Sequence, residues 1–527
     1  MNAASKILET LADNGVEVCF ANPGTSEMHF VSALDREERI DCVLCLAETV
    51  ATGAADGYAR IAGKPALTLL HTGPGLANGL SNMHNARRGP VPMVNIVGDH
   101  ADYHLALDAP LTSDVAGLAK PMSHHVERYT APSTVADQSR KAMQIAMTEA
   151  GRVVTMILPA DVAWQDVAED GPNPVQSAEA PAAHTTAAKM LDDGCKALAS
   201  GPETMLLIGG NLDANRMERC ARIAAATGVR LATEVFPTRL AHGAGRPIME
   251  RMPYLPEAMH SFMTDVRHLV LLGSAAPVTF FAYPSVKSEV VPEGCSVHVL
   301  ADADDCIDAA LDALEAKLGC ADSEITVYPP RTTGSDAVGR APDAALDAFT
   351  LAETLAMFLP PESILVDESL TGGAGLFPAL AGAAPHDWIL TNGGSIGWAL
   401  PAAVGAAVAA PDRRVVCVVG DGSSLYSIQA LWSMAREGLD ITVIILANRE
   451  YAILKAEYAR MKAIKMGERA RSMMSLGDPD VGFVALAQGF GVEGTTVSTT
   501  EALAEALTRS FATSGPYLVE AVLPVSS

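Results

Sequence analysis

The chain contains 527 residues, of which 49% are hydrophobic and 19% are charged, a composition typical of a globular protein with more than one hydrophobic core. Its 37 Lys and Arg residues are outnumbered by 62 Asp and Glu residues, and the net charge of −25 argues against nucleic acid as a partner. No apolar stretch reaches the roughly 18 residues that a membrane span requires. The N-terminus lacks the apolar segment of a signal peptide, so we expect a cytoplasmic protein without membrane contacts.

The first block of the chain alternates apolar runs with helical segments. Continuous apolar strands that are separated by helices predict a parallel sheet with helices on both faces. We therefore expect a doubly wound α/β domain over residues 1–166. The predicted strands occupy 16–20, 41–47, 65–71 and 92–98, and the predicted helices between them include 49–63 and 76–88.

Two segments rich in Pro, Ala and polar residues, 167–186 and 326–345, predict linkers. They delimit a second α/β block over 187–325 and a third over 346–527. The expected architecture is therefore three α/β domains with doubly wound parallel sheets. The predicted strands include 204–210, 267–274 and 296–304 in the second block and 363–369, 387–393, 413–421 and 441–448 in the third.

The third block contains a predicted strand-helix-strand unit that ends at Asn448. Its first strand is "RRVVCVVGD", its helix spans 424–438, and its second strand is "ITVIILAN". Asp421 and Asn448 are thus expected at the carboxyl ends of neighbouring parallel strands, where open α/β sheets bind ligands. Their side-chain oxygens suit Mg²⁺, and the glycines beside Asp421 let a phosphate approach the backbone. A Gly-Asp-Gly sequence by itself can also be a simple tight turn.

This unit closely resembles the signature of thiamine diphosphate-dependent enzymes. The segments "ANPGTSEMHF", "LLHTGPGLANG" and "NGGSIGWALPAAVGAAVA" are similar to segments of benzoylformate decarboxylase and acetolactate synthase, and the resemblance extends over essentially the whole chain. It implies a pyrimidine-binding first domain, a central domain and a diphosphate-binding third domain. It also implies thiamine diphosphate and Mg²⁺ as cofactors and a site shared by two subunits, so a homodimer is the minimum assembly and a homotetramer is expected.

The resemblance also implies which residues bind the cofactors. Asp421, Asn448 and the backbone carbonyl of Glu450 correspond to the groups that hold the metal. Ile396 corresponds to the bulky apolar residue that supports the bent cofactor. Further cofactor contacts are implied for Gly422, Ser423, Tyr451, Ala452 and Ile453.

Three residues of the first block correspond to catalytic residues of the family, namely Glu48, His71 and Thr25. Glu48 resembles the glutamate that hydrogen-bonds the aminopyrimidine ring of the cofactor. In isolation, a helix N-terminal carboxylate favoured by the helix dipole would be the preferred interpretation. His71 matches the active-site histidine of benzoylformate decarboxylase, and Thr25 matches its substrate-binding serine. Without the resemblance, a lone histidine after a strand would more often be structural.

The implied reaction makes or breaks a carbon–carbon bond beside the carbonyl group of a 2-oxo acid. An acetolactate synthase-like carboligase is the first hypothesis, and a non-oxidative decarboxylase similar to benzoylformate decarboxylase is the alternative. Ala282 stands where that decarboxylase has a second catalytic histidine. FAD is doubtful, because the middle segment "VTFFAYP" does not reproduce the acidic, Arg-containing segment of acetolactate synthases and no flavin-binding pattern is evident there. An alternative of a different class is an oxidoreductase in which "LLIGGNLDAN" binds a dinucleotide, but that segment lacks a full GxGxxG motif and its acidic partner.

Two further segments leave alternatives open. Phe280 and Phe281 lie in an apolar stretch, which favours a place in the core over contact with a substrate. The basic residues within 455–471 predict either a lid over an anionic substrate or a solvated helix.

Overall fold

The computed structural model describes residues 1–148, 151–167, 188–302, 305–331, 344–461 and 465–525. Most of both predicted linkers lies outside these ranges, as do three residues of the basic segment 455–471. The chain divides into two compact units. One consists of Met1–Met147, Gly151–Glu179 and Arg331–Ser527, and the other consists of Thr148–Ala150 and Ala180–Pro330. Among the described residues, every helix is too short or too polar to cross a membrane.

The N-terminal part of the first unit is a parallel sheet between two layers of helices. Its strands are β1 (Val18–Ala21), β2 (Asp41–Leu44), β3 (Ala66–His71), β4 (Met93–Asp99), β5 (His125–Arg128) and β6 (Val153–Pro159). Its helices are α1 (Ala3–Asp13), α2 (Met28–Leu34), α3 (Glu48–Ala62), α4 (Thr72–Arg88), α5 (Asp102–Leu105), α6 (Val115–Ala119), α7 (Val135–Ala146) and α8 (Ala160–Trp164). The strands pair in the order β2-β1-β3-β4-β6-β5. Every residue of β4 and β6 is buried because a hydrophobic core lies on each face, which confirms the predicted doubly wound sheet.

The second unit has its own parallel sheet, in the order β11-β9-β7-β12-β13, and its strands β8 and β10 pair with each other in parallel. Its strands are β7 (Thr204–Ile208), β8 (Asn211–Leu212), β9 (Arg230–Thr233), β10 (Arg239–His242), β11 (Glu250–Arg251), β12 (His268–Leu272) and β13 (Ser296–Ala301). Its helices are α9 (Ala188–Leu198), α10 (Ala214–Thr227), α11 (Pro256–Met263) and α12 (Ile307–Leu318). The three predicted strands of this block coincide with β7, β12 and β13.

The C-terminal part of the first unit is again a parallel sheet with helices. Its strands are β14 (Ile364–Glu368), β15 (His386–Leu390), β16 (Val415–Gly420), β17 (Ile441–Ala447), β18 (Glu493–Val497) and β19 (Tyr517–Val522). Its helices are α13 (Ala348–Phe358), α14 (Leu376–Leu380), α15 (Ala399–Ala409), α16 (Asp421–Ser424), α17 (Ala430–Arg436), α18 (Ala452–Arg460), α19 (Glu468–Ser472), α20 (Phe483–Gly489) and α21 (Thr500–Phe511). The strands run in the order β15-β14-β16-β17-β19-β18.

One predicted helix of this part is wrong in its extent. The segment 424–438 does not form a continuous helix, because α16 ends at Ser424 and α17 begins at Ala430. The Ser424 hydroxyl donates a hydrogen bond to the carbonyl oxygen of Asp421. Serine side chains compete for backbone groups in this way, which favours turns over a helix interior. The apolar spacing alone did not reveal this break.

The two sheets of the first unit have the same connectivity. The order β15-β14-β16-β17-β19-β18 repeats β2-β1-β3-β4-β6-β5 strand for strand. In each sheet the chain adds its second strand on one side of the first strand and its third strand on the other side. The strand order therefore reverses between β1 and β3 in one sheet and between β14 and β16 in the other. Ligands of open α/β sheets bind beyond the carboxyl ends of the strands at such a reversal. Thr25 and His71 lie at this point of the first sheet, and Ser369 and Asp421 lie at the equivalent point of the other.

Helices α3 and α15 hold the two sheets together through small residues. An added Cβ on Gly57 would collide with the carbonyl group of Ala402, and one on Gly405 would collide with the carbonyl oxygen of Ala54. The helix backbones therefore touch directly. This close contact explains why the first and third predicted domains form one compact unit.

Candidate active site

His71 ends β3 and lies against a short turn that follows β1. This turn is a 3₁₀ helix, Thr25–Glu27. The His71 Nδ1 atom lies 2.9 Å from Glu27 Oε2 and 3.2 Å from the Ser26 hydroxyl oxygen. The Glu27 side chain is 1% exposed and the His71 side chain is 22% exposed. The structure thus joins a buried carboxylate to a partly accessible imidazole.

Thr25 and its two successors occupy different positions in this turn. The Thr25 side chain is exposed and begins the 3₁₀ helix, whereas Ser26 and Glu27 contact His71. Sequence reasoning selected Thr25 and missed the other two. The sequence did contain a feature that could have indicated Glu27, because a glutamate three residues after Gly24 has the spacing of a capping box. The Gly24 N–H donates to Glu27 Oε2 over 2.8 Å.

Glu48 is the first residue of α3 and is only 7% exposed. The Asn78 amide donates a hydrogen bond of 3.1 Å to Glu48 Oε2. A Cβ added to Gly75 would lie 2.8 Å from Glu48 Oε1 and 3.3 Å from the Cβ of His71. Glu48 and His71 therefore flank the same glycine at the start of α4, as expected for two residues of one site.

Asp421 follows β16 and binds the turn that follows β17. Its Oδ1 accepts from the Gly422 N–H over 2.7 Å, and its Oδ2 accepts from the Arg449 N–H over 2.6 Å. The Asn448 side-chain oxygen accepts from the Glu450 N–H over 3.0 Å, and Arg449 between them has a left-handed φ of 61°. Burial raises the pKa of Asp421 from its ordinary value, while these backbone N–H groups oppose the rise. The structure thus brings the three predicted metal ligands together.

The remaining predicted cofactor residues lie beside this turn. The ring of Tyr451 covers Gly422, because a Cβ on Gly422 would collide with it. Ala452 and Ile453 begin α18 directly after Tyr451. Ser423 is 2% exposed, and its hydroxyl oxygen has no hydrogen-bond partner among the described residues. A buried hydroxyl without a partner is costly unless a ligand satisfies it.

These residues fit a metal-bound diphosphate. Within the described ranges, no three His, Cys, Asp or Glu side chains converge as a metal site. A cation here would therefore take one carboxylate, one amide oxygen and backbone carbonyl oxygens, which is a donor set that Mg²⁺ accepts when phosphate and water complete its shell. The unpartnered Ser423 hydroxyl is the observation that favours a phosphate beside it.

Ile396 lies half-buried in the loop between β15 and α15. Glu368 anchors this loop, because its carboxylate accepts from the N–H groups of Gly397, Trp398 and Ala399 over 2.7 to 2.9 Å. Burial raises the pKa of Glu368 to about 7, against the lowering effect of the three N–H groups. Sequence reasoning noted the segment of Glu368 but not this role.

Helix α4 connects this loop to the first sheet. The Asn85 side chain donates to the Ser395 carbonyl oxygen over 2.8 Å and accepts from the Ser395 N–H over 3.1 Å. His84 Nε2 lies 3.1 Å from the Gly393 carbonyl oxygen. The loop of Ile396 is thus tied to the helix whose first turn lies between His71 and Glu48.

The second unit offers a poor site for a dinucleotide. Glu234 follows β9, and its Oε1 accepts from the Gly210 N–H over 2.9 Å. A Cβ on Gly209 would lie 2.5 Å from the same oxygen. Burial raises the pKa of Glu234 to about 7. A carboxyl group therefore occupies the glycine turn of "LLIGGNLDAN" that a diphosphate would need, and the residues present do not fit FAD at this turn.

The prediction that Phe280 and Phe281 are core residues is wrong. They are 42% and 58% exposed, and Phe280 packs instead against Phe236 and Tyr254, with ring centroids 6.1 and 5.4 Å apart. These aromatic residues lie in irregular segments beyond the strands of the second unit. An apolar stretch there is not enclosed by a sheet and a helix, which is why the apolar pattern misled.

The chain is similar to known proteins in both sequence and structure. The family described as "Thiamine pyrophosphate enzyme, N-terminal TPP binding domain" matches residues 1–119, and "Thiamine pyrophosphate enzyme, C-terminal TPP binding domain" matches residues 374–521. The Mycobacterium tuberculosis protein named "Putative acetolactate synthase large subunit IlvX" is 47% identical over 99% of both chains. Benzoylformate decarboxylase of Pseudomonas aeruginosa is 28% identical over 97% of both chains. The 4-hydroxybenzoylformate decarboxylase of Rhodococcus jostii has the same fold, with a TM-score of 0.87, 23% identity and complete coverage of both chains.

Proposed function

Because this chain belongs to the thiamine pyrophosphate enzyme family, we propose that it is a thiamine diphosphate- and Mg²⁺-dependent enzyme acting on a 2-oxo acid. The observation that supports this most is the pair of equivalent sheet edges. One carries Glu48 and His71, and the other carries Asp421 and Asn448. These are the two chemical halves that such an enzyme needs, a buried carboxylate and a cation-binding turn.

The proposed roles follow from the contacts of each side chain. Asp421, Asn448 and the Glu450 carbonyl would hold Mg²⁺, and Ser423 would donate its free hydroxyl to the diphosphate. Glu48 would exchange a proton through Oε1, since Asn78 already engages Oε2. Bound thiamine diphosphate would supply the electron sink for bonds made or broken at a carbonyl carbon.

Gly422, Tyr451, Ala452 and Ile453 would line the diphosphate side of the site, and Ile396 would support the cofactor from its loop. His71 would hold or move a proton at the substrate, and Thr25 would contact the substrate from the exposed end of its turn. These roles rest on the family motif and on the positions described above.

We infer acetolactate synthase-like carboligation as the reaction. This is supported by the relative named "Putative acetolactate synthase large subunit IlvX", which is 47% identical over 99% of both chains. A non-oxidative decarboxylase is the second candidate, and the similarity to benzoylformate decarboxylase favours it. The absence of a histidine at Ala282 is the feature of this chain that speaks against it.

Product analysis separates the two reactions. Metal-stripped protein is titrated with thiamine diphosphate with and without Mg²⁺ and is then given pyruvate or benzoylformate. Metal-dependent binding with acetolactate from pyruvate would support the carboligase, whereas benzaldehyde from benzoylformate would support the decarboxylase. Absence of thiamine diphosphate binding under all conditions would overturn both.

Asp421→Ala should abolish the metal dependence of cofactor binding. We expect the affinity for thiamine diphosphate in the presence of Mg²⁺ to fall at least about 10- to 100-fold. Mutation of a residue that only hydrogen-bonds to a metal ligand already lowers metal affinity by that factor. The measurement is calorimetric titration of both proteins with and without the metal. Asp412→Ala is the matched control, since Asp412 is exposed in the same domain. Unchanged Mg²⁺-dependent affinity in Asp421→Ala would remove Asp421 from the metal site.

We further propose a cytoplasmic homotetramer, built from dimers in which the first domain of one subunit meets the third domain of its partner. The domain limits proposed for this arrangement are 1–166, 187–325 and 346–527. Sedimentation velocity of the loaded protein tests it. A monomer that retained full turnover would contradict the shared site.

A further inference from the structure

We propose that Glu27 is a positioning residue that holds the proton of His71 on Nδ1 and so leaves Nε2 as the ring atom that acts on substrate. The role of Nε2 rests on the function proposed above, whereas the state of the ring does not. The contact that supports this proposal lies between Glu27 and His71. The Nδ1 atom of His71 lies 2.9 and 3.2 Å from the two carboxylate oxygens of Glu27.

The Glu27 carboxylate is fixed in place by its other bonds. Its Oε2 accepts from the Gly24 N–H over 2.8 Å, and its Oε1 accepts a short hydrogen bond from the Ser26 hydroxyl. A Cβ on Gly98 of β4 would collide with Oε1. The Glu27 side chain is 1% exposed, is held by two donors besides His71, and lies against a glycine that makes room for it. The carboxylate therefore has little freedom to turn away from His71.

The imidazole ring is fixed by the same turn. A Cβ on Gly24 would collide with Cγ and Nδ1 of His71, so the ring lies directly against the backbone of Gly24. Within the described residues, every hydrogen bond of the ring is made by Nδ1, to Glu27 or to Ser26. Nε2 therefore has no competing partner, and the ring is 22% exposed.

The chemistry of the pair decides the tautomer. An ionised carboxylate can only accept hydrogen bonds, so Nδ1 must be the donor. In the neutral ring Nε2 then carries a lone pair and can accept a proton. The nearby carboxylate also compensates the positive charge that the ring gains when it does so. The Ser26 hydroxyl donates to Glu27 and therefore supports this arrangement rather than competing with it.

A capping role alone does not account for the geometry. Because Gly24 has no side chain, the only capping bond that Glu27 can make with it is the one from the Gly24 N–H to one carboxylate oxygen. The contact with Nδ1 comes from a different strand, 44 residues along the chain. The carboxylate therefore links the turn after β1 to the histidine at the end of β3, on both sides of the reversal in the sheet.

The test is the nitrogen spectrum of His71 in cofactor-free protein. Protein labelled with ¹⁵N-histidine is sedimented and measured by magic-angle-spinning NMR at a pH where the ring is neutral, and His71→Asn identifies the His71 signals among the 13 histidines. The wild type should show a protonated Nδ1 and a bare Nε2. A wild-type ring protonated on Nε2 would overturn the proposal, and this result needs no variant to fold and no substrate to be known.

Glu27→Gln tests whether Glu27 affects both the proton position on His71 and the rate of turnover. An amide can donate as well as accept, so we expect the His71 signals to shift partly or wholly to the Nε2–H form. With loaded enzyme and the substrate found in the product analysis, kcat should fall about 10²- to 10⁴-fold, the range of general acid–base catalysis, while KM changes little. Glu27→Asp keeps an acceptor-only group and should recover the Nδ1–H signal and part of kcat.

Ser26→Ala is the matched control, because it removes a neighbour of the same carboxylate and of Nδ1 but leaves the contact between Glu27 and Nδ1. It should keep the Nδ1–H signal. An unchanged His71 spectrum in Glu27→Gln would refute the positioning role. Lack of turnover on any 2-oxo acid in wild-type protein with a normal Nδ1–H spectrum would instead refute the proposed function and leave the assignment of the proton intact.

Discussion

Glu48→Gln is expected to lower turnover by about 10²- to 10⁴-fold, the contribution typical of a positioned general acid or base. The substitution keeps the shape of the side chain, and the Gln oxygen can still accept the hydrogen bond from Asn78. It removes the ability to exchange a proton at Oε1. Because Glu48 is buried, a hydrogen bond from this oxygen to the cofactor would be stronger than one in water. The affinity for thiamine diphosphate should stay close to that of the wild type.

The decisive measurement is hydrogen–deuterium exchange at the C2 position of bound thiamine diphosphate, followed by quenched-flow NMR. Exchange should slow in Glu48→Gln by the same factor as turnover. Glu38→Gln, an exposed glutamate of the same domain, is the control and should behave as the wild type. Full turnover in Glu48→Gln would contradict the mechanism proposed here.

Asp56→Ala is expected to destabilise the first unit by about 3–5 kcal/mol, the cost of leaving a buried charge without its partner. Asp56 and Arg60 both have fully buried side chains, and the guanidinium donates to the carboxylate over 2.6 and 3.0 Å. Asp56 also accepts from the Trp398 indole over 2.5 Å, and Arg60 donates to the Leu390 carbonyl oxygen over 2.6 Å. This network joins α3 to the C-terminal sheet.

The effect should appear as a lower midpoint of urea unfolding followed by tryptophan fluorescence, since Trp398 is itself a member of the network. Asp56→Leu combined with Arg60→Met should recover much of the loss, because a buried ion pair can often be replaced by apolar residues of similar volume. Arg39→Ala breaks partly exposed ion pairs with Glu37 and Asp13, each of which should contribute at most about 1 kcal/mol. Equal effects for the buried and the exposed substitution would disprove the structural role of this pair.

The buried strands and the chemical identity of the cofactor-binding turn could be predicted from the sequence. Runs such as "VVCVVG" and "VIILA" are apolar at every position, which only a strand covered on both faces requires. Asp421 and Asn448 follow these runs directly. Their proximity therefore depends on strand pairing alone, which hydrophobic periodicity predicts.

The tertiary structure decided the features that depend on contacts between distant segments. The pairing of Glu27 with His71 spans two strands, and no local pattern distinguishes Glu27 from an ordinary capping residue. The exposure of Phe281 depends on what covers an irregular segment. The break between α16 and α17 is instead a local feature, set by the hydrogen bond of Ser424 to Asp421, which apolar spacing does not report.

The sequence by itself determined the fold class, the three α/β blocks and the positions of Glu48, His71 and Asp421 at strand and helix ends, because burial imposes a period on the chain. Only the tertiary structure decided which polar groups meet. Hydrogen bonds are short and directional, and the residues that form them do not recur at regular intervals along the sequence. The orientation of the His71 ring is of this second kind, and it follows from a glutamate 44 residues away in the chain.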